Sequence, residues 1–78
     1  MKHHEVHVYV SEDCKECDDL LDFLEEKNVK HISKNTSKNK EYLEEMQKEN
    51  IYMTPVMNVR GKWVQGFQTK QINQVLGL

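Results

Sequence analysis

The sequence predicts an α/β fold in the order βαβαββα, with a mixed four-stranded sheet flanked by helices. Three observations predict it. Alternating apolar residues mark Glu5–Val10, as in a strand with one apolar face, and a second strand-like run follows Pro55 at Val56–Val59. Apolar residues at helical spacing follow the first run, in Cys17, Leu20, Leu21 and Leu24, and return near the end of the chain in Ile72, Val75 and Leu76. Finally, Arg60-Gly61-Lys62 supplies a turn between two strand-like runs, so a hairpin adds antiparallel pairing to a sheet whose first two strands are joined through a helix.

Each element has a local cause. In the first strand, a run from His4 to Val10, valines alternate with polar or amphipathic residues and present one apolar face. Ser11-Glu12-Asp13 ends it, and the first helix opens at Cys14 with Cys17 on its buried stripe. Asn28 supplies the stop. A short second strand is expected over Val29–Ser33, with Val29 and His31 on one face and Lys30 and Ile32 on the other. Asn35-Thr36-Ser37 offers cap oxygens to a polar second helix from Ser37 to Glu49, with Leu43, Met46 and Asn50 marking its inner face. Pro55 has no N–H for a ladder and restricts Thr54 to extended backbone, so the third strand begins after it at Val56. Trp63-Val64-Gln65 is its hairpin partner, and Gly66-Phe67 leads into the last helix.

Seventy-eight residues suit a single domain over 1–78, because a chain of this size buries only about two thirds of its unfolded surface. The longest uninterrupted apolar run is three residues, Val8 to Val10, which predicts neither a signal peptide nor a membrane span and makes the cytoplasm the expected location. Charge is uneven: Glu12 to Glu26 holds eight of the thirteen carboxylates and one lysine, whereas Lys27 to Lys40 holds five lysines and no acid. The cysteine end is therefore negative, either as a solvated helix face or as a rim that steers a basic partner surface. No basic stripe with interleaved aromatics is present, which argues against nucleic acid as a partner.

The only two cysteines form Cys14-Lys15-Glu16-Cys17, immediately after a strand and at the start of a helix. As a structural staple the pair is poorly placed, since so short a loop contributes only roughly 2 kcal/mol of chain entropy. In a reducing compartment such a pair reads as redox chemistry. Two rivals come from other classes. Cys14 and Cys17 with two of His3, His4, His7 and His31 would complete a tetrahedral zinc site, although the histidine spacing places them along a strand. Alternatively, Trp63 and Phe67 form a docking surface on a non-catalytic binding module, against the ordinary reading of both as packing residues.

Val8-Tyr9-Val10, Cys14-Lys15-Glu16-Cys17, Thr54-Pro55-Val56, and Gly61 followed by Trp63-Val64-Gln65-Gly66-Phe67 occur in an order and spacing that resemble a glutaredoxin of the thioredoxin-like superfamily, from about Glu5 to Leu76. The resemblance implies a dithiol–disulfide oxidoreductase and electron carrier, with Cys14 as the exposed nucleophile, Cys17 as the resolving thiol and Pro55 as a cis-proline facing the pair. It implies a substrate surface of Lys15, Thr54, Pro55, Gly66 and Phe67. No metal and no cofactor beyond the redox-active disulfide are expected, and the partners implied are a disulfide-containing protein and a reductase or glutathione, met by a monomer with no membrane. The physics agrees with the cysteine roles: at a helix start, unpaired N–H groups and the dipole favour a thiolate, and one turn inside the second sulfur is shielded. Opposing that pull, Glu12, Asp13 and Glu16 would raise the Cys14 pKa again, with Lys15 restoring part of the gain.

Glutathione-using members resemble Cys-Pro-Tyr-Cys at this site, with a basic residue shortly before it and, after the last strand, a paired glycine and an Asp for the glutathione amino group. Here Ser11-Glu12-Asp13 precedes Cys14 and no carboxylate side chain follows Glu49. Trp63-Val64-Gln65-Gly66-Phe67 instead resembles the Trp-Ser-Gly-Phe segment of NrdH-type redoxins, which draw electrons from thioredoxin reductase, with Gln65 and Gln68-Thr69-Lys70 in place of the usual Ser and Arg-Pro-Asp.

Overall fold

A computed structural model describes residues 5–77. The elements are β1 (Val6–Val10), α1 (Lys15–Glu26), β2 (Ile32–Asn35), α2 (Lys40–Gln47), β3 (Val56–Val59), β4 (Lys62–Gln65) and α3 (Thr69–Leu76). They form a four-stranded sheet in the order β2-β1-β3-β4, with β1 and β2 parallel and the other two pairings antiparallel. This is the mixed α/β architecture that the alternation of periods predicts, a thioredoxin-like fold.

Because β1 and β3 are both interior strands, each buries side chains on two faces. Val6, Val8 and Val10 join Met57, Val59 and Val64 beneath Cys17, Leu20 and Leu24 of α1 and Ile72 and Leu76 of α3. On the opposite face Tyr9 and Val56 pack with Met46 of α2 and with Ile51, while Tyr42, Leu43 and Trp63 close the margin. The expectation of one apolar face on the first strand is thus half of the answer: Tyr9 is as buried as the valines, because α2 covers it.

The ends of α1 and α2 repeat one device. Asn28 and Asn50 both take left-handed backbone, φ +57° and +61°, a conformation that asparagine tolerates better than most residues. At α1 the Asn28 N–H donates to the Glu25 carbonyl and the Val29 N–H to that of Leu24; at α2 the Asn50 N–H donates to Gln47 and the Ile51 N–H to Met46. Each is a Schellman closure, with the residue after the asparagine packed in the same core as the residue it bonds. Asn28 is therefore the stop the sequence predicts, whereas Asn50 closes the helix end and is exposed, not part of an inner face.

Two boundaries need correction. The second strand runs over Ile32–Asn35, not Val29–Ser33, because Val29 is taken by the closure of α1 and β1 sets the register from His7 opposite Ile32 to Val10 opposite Asn35. The second helix begins at Lys40, not Ser37. Its cap is Asn39, whose Oδ1 accepts from the Glu41 N–H at 3.0 Å, while the three expected cap oxygens are used elsewhere. Asn35 Oδ1 accepts from the Ser37 and Lys38 N–H groups, the Thr36 hydroxyl donates to the Val10 carbonyl at 3.0 Å, and Ser37 Oγ accepts from the Glu12 N–H at 3.1 Å. These bonds lash the β2–α2 connection to the C-terminal end of β1 and so fix the loop that carries the cysteines.

In the hairpin, Arg60 and Gly61 both have positive φ, +52° and +88°. That is the pattern of a two-residue type I′ turn, whose twist matches the strands it joins. Asn58 Oδ1 supports it by accepting from the Gly61 N–H.

Candidate redox site

The loop Ser11-Glu12-Asp13 leaves the C-terminal end of β1 and turns at Asp13, which has φ +54°. Cys14 follows in extended backbone as the N-cap of α1, one position earlier than the first helical turn where the sequence places it. Its Sγ accepts from the Cys17 N–H at 3.1 Å, the service a serine or aspartate oxygen usually performs at a cap. Cys14 and Cys17 are joined as a disulfide, with 5.2 Å between their Cα atoms. The two sulfurs differ in setting. Cys17 is buried against Leu20, Val10 and Met57 in the larger core, whereas Cys14 is half-buried at its edge.

Three other segments meet this pair. The Thr54–Pro55 peptide is cis, as the resemblance implies, and Pro55 is fully buried. Thr54 Oγ1 stands 4.0 Å from Cys14 Sγ and shares a 2.6 Å hydrogen bond with Ser11 Oγ, which ties the cysteine loop to the proline loop. The Gly66 N–H donates to the Pro55 carbonyl at 2.8 Å, and the Phe67 N–H donates to Glu16 Oε2 at 3.3 Å. Gly66 itself has φ +78°, a conformation that favours glycine, and faces the same Glu16 oxygen. Five of the residues singled out in the sequence, Cys14, Cys17, Thr54, Pro55 and Gly66, thus form one connected cluster, with Cys17 and Pro55 buried beneath it and Phe67 at its margin packed edge-on against Phe23 at 5.7 Å.

Lys15 follows Cys14 directly, and its ammonium is held by Asp19 one turn along α1, at 3.0 Å, which keeps the amine charged above its usual pKa. Lys15 therefore neutralises a helix carboxylate, and the offset to the charge around Cys14 comes from elsewhere: Lys38 Nζ stands 3.9 Å and Asn35 Nδ2 3.5 Å from Glu12 Oε2. Beside the disulfide, Glu12, Asp13 and Asp18 rim a depression of about 380 Å³ whose floor includes Val10 and Leu21.

The roles of Ser11 and Glu16 are not legible in the sequence. Their partners, Thr54 and Phe67, lie 43 and 51 residues away, and no local pattern links them. Trp63, offered above as a docking residue, packs instead on Tyr9 with ring centroids 5.4 Å apart. Among the described residues no three His, Cys, Asp or Glu side chains converge to hold a metal ion; His3 and His4, two members of the zinc alternative, lie outside the described residues. No helix among the described residues is long and apolar enough to cross a membrane.

The sequence model of the glutaredoxin family, described as Glutaredoxin, matches residues 6–64, well over half of the chain. The chain belongs to the glutaredoxin family. Solved structures of similar shape include a mutant form of the thioredoxin-like protein BC3987, 27% identical over 92% of this chain and 99% of that one, with a TM-score of 0.87. A glutaredoxin, grx-1, from Archaeoglobus fulgidus is 23% identical over 92% of this chain and 85% of its own, with a TM-score of 0.79. The glutaredoxin-like NrdH-redoxin from Escherichia coli is 20% identical over 90% and 92%, with a TM-score of 0.83, a likeness of fold. No curated protein matches the sequence. As a glutaredoxin-family protein the chain is a redox protein with a Cys-x-x-Cys pair, and the family implies thiol–disulfide oxidoreductase activity.

Proposed function

We propose that this protein reduces protein disulfides through Cys14 and Cys17, with electrons from a thioredoxin-reductase-type enzyme. The observation that carries the reading is the asymmetry of the pair: one sulfur caps a helix at the surface while the other is buried one turn inside. On reduction, the Cys17 N–H and the helix dipole remain to stabilise a Cys14 thiolate. That thiolate attacks one sulfur of a substrate disulfide, forming a mixed disulfide and releasing the first substrate thiolate. Cys17 then attacks Cys14 Sγ, which releases the second substrate thiolate and regenerates the internal disulfide. Two electrons leave the protein and two thiols appear on the substrate. Thr54, Pro55, Gly66 and Phe67 receive the substrate backbone beside the sulfur.

The choice of electron source rests on charge. A peptide such as glutathione brings two carboxylates, which Glu12 and Asp13 repel at the position where glutathione-using members resemble a basic residue. The E. coli NrdH-redoxin, described as having a thioredoxin-like activity profile, offers the precedent on this fold. The test is NADPH-coupled insulin reduction, run once with thioredoxin reductase and once with glutathione and its reductase. Turnover with the first system is expected, together with a trapped mixed disulfide in Cys17→Ser. Failure to reduce insulin with either system, or with dithiothreitol, overturns the oxidoreductase reading, and turnover with glutathione alone overturns the donor.

A further inference from the structure

Resting on that reading, we infer that Glu16 selects substrates by charge, disfavouring disulfides that carry a carboxylate near the sulfur and favouring cationic ones. The backbone N–H of Phe67 lies on the loop that Pro55 holds through Gly66; Thr54, the residue before Pro55, stands 4.0 Å from Cys14 Sγ, and Phe67 and Cys14 pack at the margin of the same core. A donor in that place is where a substrate carboxylate would be drawn, since an N–H beside a reacting group is the ordinary protein partner for an anion. In this chain the place is taken. Glu16, one of the two residues between the cysteines, turns its carboxylate across to accept that N–H at 3.3 Å, with the face of Gly66 left open to the same oxygen.

The arrangement acts twice. It satisfies the donor from within, and it sets a negative charge next to the sulfur that a substrate must reach. Glu12 lies near Lys38 and Asp19 is paired with Lys15, and Asp13 and Asp18 add negative charge at the rim; what sets Glu16 apart is that its carboxylate reaches across to a backbone donor on the loop after β4. Glu16 touches no reacting atom in this account; it is a specificity residue.

Two small symmetrical disulfides test it, dithiodipropionate with two carboxylates and cystamine with two ammonium groups. The readout is the ratio of their second-order rate constants for oxidising the reduced protein, in the parent, Glu16→Gln and Glu16→Ala. Any uniform change, including one in the reactivity of Cys14 or in the fold, cancels in that ratio. Glu16→Gln keeps an acceptor for the Phe67 N–H but removes the charge. A unit charge roughly 7 Å from the reacting sulfur acts in opposite senses on the two substrates, so the ratio should move toward the anion by about fivefold and lose most of that gain in 0.5 M salt. Glu16→Ala also frees the N–H and should move it further, to about tenfold. A ratio within twofold of the parent in both variants overturns the inference while leaving the oxidoreductase reading intact. If neither disulfide oxidises the reduced parent protein, both fail.

Discussion

The two faces of the sheet are built on different terms. Beneath α1 and α3 every fully buried side chain in the cluster is apolar, and its one chemical group is the Cys17 sulfur at the edge nearest the loops. Beneath α2 the core is smaller and is finished by polar groups: the Tyr9 hydroxyl donates to Glu45 Oε1 at 2.7 Å, and Lys34 Nζ reaches the same oxygen at 3.1 Å while lying over the rings of Tyr9 and Tyr42. Tyr9, Lys34 and Glu45 partner one another there, while His7 Nδ1, on the same face of β1, is buried without a hydrogen-bond partner. At the other face, one half-exposed sulfur is held by a neighbour it can release, and a carboxylate rim surrounds it. The reactivity proposed above belongs to the face whose buried cluster is apolar and whose edge carries the disulfide.

The sharpest way to break the contrast is to remove the sulfur proposed as the nucleophile. Cys14→Ser should take insulin reduction to the background rate, while stability falls by no more than about 2 kcal/mol, the contribution of so short a closed loop. Far-ultraviolet circular dichroism and the insulin assay on one sample would separate the two effects. Next in size is the dry core itself. Leu20→Ala, at a fully buried position of α1, should cost about 2–5 kcal/mol in denaturant unfolding, a large share of the stability of a domain this small. A loss below 1 kcal/mol would mean that this face is not the main source of stability.

The polar face predicts a smaller effect with a pH signature. Tyr9→Phe deletes one hydroxyl and should cost about 1–2 kcal/mol with insulin reduction unchanged. Burial and the Glu45 carboxylate hold the Tyr9 hydroxyl protonated well above its usual pKa of 10.0. The unfolded chain therefore loses that proton first, and the Tyr9 contribution, complete below pH 10.0, fades as pH rises beyond it. The bond from Tyr9 and then that from Lys34 hold the Glu45 carboxyl below its usual pKa of 4.5. Its contribution is present above pH 4.5 and is lost as pH falls through the lower, folded value. Stability measured against pH should fall less steeply at the alkaline end in Tyr9→Phe than in the parent, and less steeply at the acid end in Glu45→Gln; identical profiles would contradict the hydrogen-bonded cluster.

The smallest expected change concerns a helix end. Asn28→Gly should raise stability by a few tenths of a kcal/mol and Asn28→Ala lower it by about 1, because only the backbone cost of a left-handed residue changes sign between them. Thermal unfolding of the two variants side by side would show it.

Periodicity was enough to read the element order, the hairpin and the helix stop at Asn28, because each depends on neighbours within a few residues. It was also enough to place the cysteine pair where a strand gives way to a helix. What it missed follows one pattern. The second strand starts later and the second helix is shorter than periodicity predicts because Val29 and Ser37 are claimed by Leu24 and Glu12, and the burial of Tyr9 depends on α2 covering the second face of β1. The Lys15–Asp19 pair, by contrast, follows from a helical spacing legible in the sequence.

The chain by itself determined which stretches become strands and helices and which two sulfurs stand one turn apart, since local backbone preference and side-chain spacing decide those matters. Only the tertiary structure decided that Tyr9 is covered on the second face of β1, that Ser11 binds Thr54, and that Glu16 occupies the Phe67 N–H. Those bonds join segments more than forty residues apart, and their partners are chosen by the packing of the sheet that brings them together, which no local run of residues encodes.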